Sequence, residues 1–125
     1  MAGLVGWCAA LLVAAVLSAG DAAAASKRAT ATPSLNKAND KLLQMPEPER
    51  VATLARAIGH WCIGTDVFLM GVVTAGAGQG NAYWSLRCAD GSTWAIQIDP
   101  FAAVTAIDCA TYRENGAGKQ CFQKF

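Results

Sequence analysis

Residues 82–99 read AYWSLRC-ADGS-TWAIQID, and their pattern decides the fold. Ala82, Trp84, Leu86 and Cys88 share one face of a first arm, and Trp94, Ile96 and Ile98 share one face of a second. That period of two is what a half-buried strand requires. Ala89-Asp90-Gly91-Ser92 joins the arms as a tight turn, with Gly91 supplying the positive φ that such turns often need. The stretch therefore predicts a β-hairpin, and the rest of the chain reads as cover, staple and tether for it.

Upstream, Asp66 to Ala75 is apolar on both alternating faces through Val67-Phe68-Leu69-Met70-Gly71-Val72-Val73. Its β-branched residues and the glycines that follow favour a short strand covered on both sides over a buried helix. Gly76-Ala77-Gly78-Gln79-Gly80-Asn81 leads back to the hairpin. A phosphate-cradling loop would stand between a strand and a helix, whereas this one precedes the strand pattern Tyr83-Trp84-Ser85. It is read as a hairpin loop.

Pro46-Glu47-Pro48-Glu49 opens a helix, because the first turn tolerates proline and favours negative charge. Val51, Leu54, Ala55, Ile58 and then Trp61 and Cys62 recur at helical spacing, opposite Arg50, Thr53 and Arg56. The helix end falls between Gly59 and Gly64. Beyond the hairpin, Asp99-Pro100 stops the strand, and 101–112 is compatible with a fourth strand on Val104-Thr105-Ala106-Ile107 or with a helix. Cys121 would tie down a tail containing Gly116 and Gly118. The predicted architecture is α+β: one amphipathic helix on a three- or four-stranded antiparallel meander, stapled by disulfides.

Domain organisation follows from composition. The chain has 125 residues, 54% hydrophobic and 15% charged, with much of the apolar excess in the first 25 positions. Residues 1–25 read as a signal peptide: Leu11 to Leu17 is the apolar region, and small residues through Ala25 offer cleavage sites. The segment before the apolar region lacks Lys and Arg, so an uncleaved N-terminal anchor is the alternative. Residues 26–46 read as a flexible linker that includes a candidate short helix on Leu35, Ala38, Leu42 and Met45. Residues 47–125 form the exported domain. Localisation is expected to be periplasmic or secreted, with no membrane span once the signal is removed. Cleavage after Ala25 removes Asp21 and leaves ten basic and eight acidic side chains. A net charge of +2 is too small to indicate a nucleic-acid partner or an anionic membrane surface.

Loss of Cys8 with the signal leaves Cys62, Cys88, Cys109 and Cys121, an even number in a short exported chain. Two disulfides are expected. Cys62 with Cys88 and Cys109 with Cys121 is the preferred pairing, since each links neighbours in sequence. Zinc sites usually pair ligands two to four residues apart, whereas the nearest cysteines here, Cys109 and Cys121, are twelve apart with no histidine near them, and there is no C-x-x-C. No metal and no cofactor is expected.

Catalytic residues are few. His60 is the only histidine, and no serine sits in a G-x-S-x-G elbow. The carboxylates occupy ordinary helix-start, turn and strand-end positions. A small hydrolase using His60 with a nearby carboxylate is therefore the second hypothesis, and an envelope structural or stress protein the third. The first is a non-enzymatic binding or accessory protein whose partner is an envelope or extracellular protein or a small ligand. Its candidate binding residues are Tyr83 and Arg87, residue types enriched at binding hot spots, on the hairpin face opposite Trp84. The apolar strand beside them implies that part of this face is covered.

The element order, with Tyr-Trp-x-x-x-Cys-x-Asp-Gly between a glycine loop and a Cys-Phe tail, resembles that of short exported bacterial proteins. The Cys88-x-Asp90-Gly91 turn is similar to one in periplasmic lysozyme inhibitors, over less than a fifth of the chain. No functional residue is carried over on that turn.

Overall fold

The structure, a computed structural model, describes residues 32–115 and 119–125. The expected signal peptide 1–25, its cleavage or anchoring, the start of the linker, and Gly116 and Gly118 lie outside the described residues. The element order is α1 Lys37–Gln44, α2 Glu47–Ile58, β1 Gly64–Val72, β2 Ala82–Cys88, β3 Thr93–Ile98, β4 Val104–Asp108 and α3 Cys109–Asn115. The strands form one antiparallel sheet in the order β1-β2-β3-β4, a meander. The class is α+β as read from the sequence: α2 is the expected amphipathic helix, and α1 falls on the candidate short helix of 26–46. Residues 101–112 supply both alternatives, β4 followed directly by the first half of α3.

The hairpin is in the expected register, with Trp84 opposite Ile96 and Leu86 opposite Trp94. Its Trp84 face packs against α1 and α2. Leu42, Leu54, Trp84, Leu86, Ile96 and Ile98 form the centre of that core. Each large apolar side chain so buried contributes about 1.5–3 kcal/mol. β1 is covered on both sides: Val67 and Leu69 join the helix-side core, while Phe68 and Met70 face the other way. There Met70, Ala95 and Tyr112 make a second, smaller core under α3 and the C-terminal tail.

α1 is an integral element. Its N-cap residue Asn36 accepts a bond from the Asn39 N–H at 2.9 Å, and its Nδ2 donates to the Gly80 and Ile98 carbonyls, both at 2.9 Å. Asn39 Oδ1 then accepts from Trp84 Nε1 at 2.8 Å. These four hydrogen bonds together satisfy groups that would each be costly to bury alone. Gly80 is required at this junction: its φ is +87°, and a Cβ there would lie 2.6 Å from Pro100 Cγ and 2.7 Å from the Leu35 carbonyl.

Both expected disulfides are present. Cys62–Cys88 joins the segment after α2 to the end of β2, with Cα atoms 5.2 Å apart, and Cys109–Cys121 joins α3 to the tail, at 5.9 Å. Bonds of this kind persist in an oxidising, extracellular-type environment. No helix among the described residues is long and apolar enough to cross a membrane.

Candidate functional site

The residues singled out for binding are separated by the tail. Tyr83 is half-buried: its ring meets Tyr112 at 6.1 Å and Phe125 at 5.7 Å, the Lys119 ammonium lies 5.7 Å from its centroid, and its hydroxyl donates to Gln97 Oε1 at 3.0 Å. Ser85, midway between Tyr83 and Arg87, is fully buried and accepts from the Phe122 N–H at 2.8 Å. Arg87 is exposed, with its guanidinium 5.3 Å from the centre of the Phe122 ring. The tail thus crosses the face on which both were placed.

His60 lies exposed after α2, beside a shallow cleft that it shares with Arg56, Val51, Ala52, Gly59 and Ile63. Among the described residues no carboxylate lines that cleft. Nearby, Trp61 turns edge-on to Trp94 at 5.9 Å, so Trp94 has an aromatic partner in the segment after α2. Two carboxylates are held below their ordinary pKa, and both do structural work. The Ser92 hydroxyl and N–H lower Asp90 in the hairpin turn, and the Thr111 hydroxyl and N–H lower Asp108 at the start of α3. Burial, then Tyr83, raises the Tyr112 phenol. Among the described residues no group of three His, Cys, Asp or Glu side chains gathers as metal ligands would.

A further concavity lies between α1, α2 and the β3–β4 turn. It measures about 450 Å³ and is lined by Ala38, Leu42, Leu54, Ala57, Ile98 and Val104. That volume falls in the range of roughly 300–1,000 Å³ typical of small-molecule sites. Each wall has an identifiable origin. α1 is held by the Asn36 and Asn39 bonds to the sheet, and α2 lays Leu54 and Ala55 on the same core. Arg50 locks the angle between them. Its Nε donates to the Leu42 carbonyl at 2.8 Å and its Nη2 to those of Leu43 and Met45 at 3.2 and 2.9 Å, closing the carbonyl end of α1. The guanidinium lies 5.5 Å from the Trp84 ring centre.

The third wall is the turn from Asp99 to Ala103. Asp99 Oδ1 accepts from the Phe101 and Ala103 N–H groups at 2.9 and 2.8 Å, and Ala102 has a φ of +67°, uncommon for alanine. The turn is braced, and it presents Phe101 with 91% of its surface exposed. Val104 beside it is also exposed. The charged side chains lining the cleft are Lys37 and Lys41, one turn apart on α1. Lys37, Lys41 and Phe101 were not among the residues picked from the sequence. A signal for the lysines was present, because they flank Ala38 and Leu42 at helical spacing; Phe101 after Asp99-Pro100 reads only as a turn residue.

Comparison with protein-family models, curated proteins and solved structures gives no match. What fold and site define is a class: a disulfide-stapled α+β domain whose helical layer and final hairpin turn enclose an apolar, cation-edged cleft.

Proposed function

We propose that the protein is an exported binding or accessory domain, periplasmic or secreted, that acts without catalysis by taking an apolar group into the cleft between α1, α2 and the Asp99–Ala103 turn. One observation carries the reading: an aromatic side chain, Phe101, held 91% exposed on a braced turn at the mouth of a cleft lined by aliphatic residues. An isolated exposed apolar residue is ordinary, but an exposed aromatic continuous with an apolar concavity marks a contact surface. The two disulfides support export, since they stabilise a small core in an oxidising compartment. The Tyr83–Arg87 face is the weaker candidate, because the tail bonded at Ser85 divides it.

The test uses an uncharged apolar fluorophore, N-phenylnaphthylamine, with the oxidised full chain. Fluorescence should rise on binding, fall back in Ala57→Trp, which fills the cleft from an exposed position on α2, and be unchanged in His60→Ala. Equal enhancement in the wild type and Ala57→Trp would place the dye elsewhere and overturn the reading. Hydrolytic activity that disappears in His60→Ala would replace it with the enzyme.

A further inference from the structure

The cleft has a chemical asymmetry that specifies its occupant further. Its floor offers alkyl groups, and the one hydroxyl that the described residues bring to the lining, that of Thr53, points at the Met45 sulfur 4.0 Å away. A sugar or nucleotide would find few hydrogen-bond partners there and would lose its hydration without replacement. Among the described residues, all the charge in the lining is positive and lies on one wall, at Lys37 and Lys41. Four residues along a helix advance about 6 Å, close enough for both ammonium groups to converge on one anionic group. Lys37 also occupies the first turn of α1, the end of a helix where an anion is favoured and a lysine is not, so helix stability does not account for it.

We infer that the occupant is a single-chain anionic amphiphile, a long-chain carboxylate, with its alkyl chain against Leu42, Leu54 and Ala57 and its carboxylate against Lys37 and Lys41. This rests on the reading of the cleft as the binding site. The Phe101 ring closes over the chain at the mouth, and the open rim next to the lysines leaves the head partly in water. An anion there keeps much of its hydration while gaining two charge-assisted contacts.

The experiment measures displacement of N-phenylnaphthylamine by a matched series of saturated carboxylates, alcohols and amines, each below its micelle concentration. Carboxylates should compete best, alcohols more weakly and amines least. Each added methylene should tighten carboxylate binding about three- to fourfold until the cleft is full. Lys37→Gln with Lys41→Gln should weaken the carboxylate about tenfold and leave the alcohol unchanged, whereas Ala57→Trp should abolish both. Equal binding of alcohol and carboxylate, or no effect of the lysine substitutions, would overturn the carboxylate while leaving the cleft as the site. No competition by any chain, with dye binding insensitive to Ala57→Trp, would remove both. Two further outcomes overturn the inference by naming another occupant. Sedimentation with anionic phospholipid vesicles without uptake of free amphiphile would assign the patch to a membrane surface. Dimerisation lost in Phe101→Ala, again without uptake, would assign it to a second copy of the chain.

Discussion

Among the described residues, every buried side-chain polar atom but one has a hydrogen-bond partner, which makes the exception informative. Asn36, Asn39, Ser85 and Trp84 are each buried and each hydrogen-bonded. Tyr112 is 6% exposed, and its buried hydroxyl finds no hydrogen-bond partner among the described residues. A buried hydroxyl without a partner forfeits its hydration, a penalty of about 1–3 kcal/mol. Tyr112→Phe retains the ring that packs on Tyr83 and removes the orphaned group, so it should stabilise the protein by about 1 kcal/mol. Urea unfolding at neutral pH checks this: an unchanged or lower midpoint would mean that water reaches the hydroxyl.

Helix ends set the behaviour of the individual elements. Arg50 closes the carbonyl end of α1, and Asp108 opens α3 by accepting from the Thr111 N–H at 2.9 Å and the Thr111 hydroxyl at 2.6 Å. Those bonds favour the carboxylate and depress its pKa in the folded chain. The cap's charge-dependent contribution is therefore complete above the unfolded value near pH 3.9 and is lost as pH falls through the folded value. Asp108→Asn keeps an oxygen for the Thr111 N–H and cannot titrate. The variant should start less stable at neutral pH, and its unfolding midpoint should depend less on pH than the wild type's between about pH 4 and 2. Parallel acid limbs would show that the cap is not linked to protonation.

At the scale of the whole molecule, the two disulfides serve different layers. Cys62–Cys88 closes a separation of 26 residues and ties the segment after α2 to the strand that carries Trp84 and Leu86. Cys109–Cys121 closes 12 residues and holds the tail across the opposite face. Chain-entropy arguments assign each about 3 kcal/mol, a large share of the stability available to so small a core. Cys109→Ser with Cys121→Ser should release the tail, so that proteolysis cuts after Lys119 and Lys124 while the hairpin stays protected from hydrogen exchange. Cys62→Ser with Cys88→Ser should lower the thermal midpoint more and expose the helix-side core. If the first pair of substitutions unfolded the domain as completely as the second, the two layers would be one cooperative unit.

The hairpin, β1, α2 and the meander were legible in the chain because each leaves a local trace: a period of two, a period near four, a turn glycine. The four cysteines that remain after loss of Cys8 pointed to two disulfides and left three connectivities open. Three features were decided only by tertiary structure. α1 is too short and polar to hold as an isolated helix; it is fixed by the long-range bonds of Asn36 to Gly80 and Ile98 and of Asn39 to Trp84. The covering of Tyr83 depends on where Cys121 carries the tail, a distance in space that strand alternation does not encode. The cleft brings together Lys37, Ala57 and Phe101 from three separate elements, and no period in a linear sequence records a meeting of that kind.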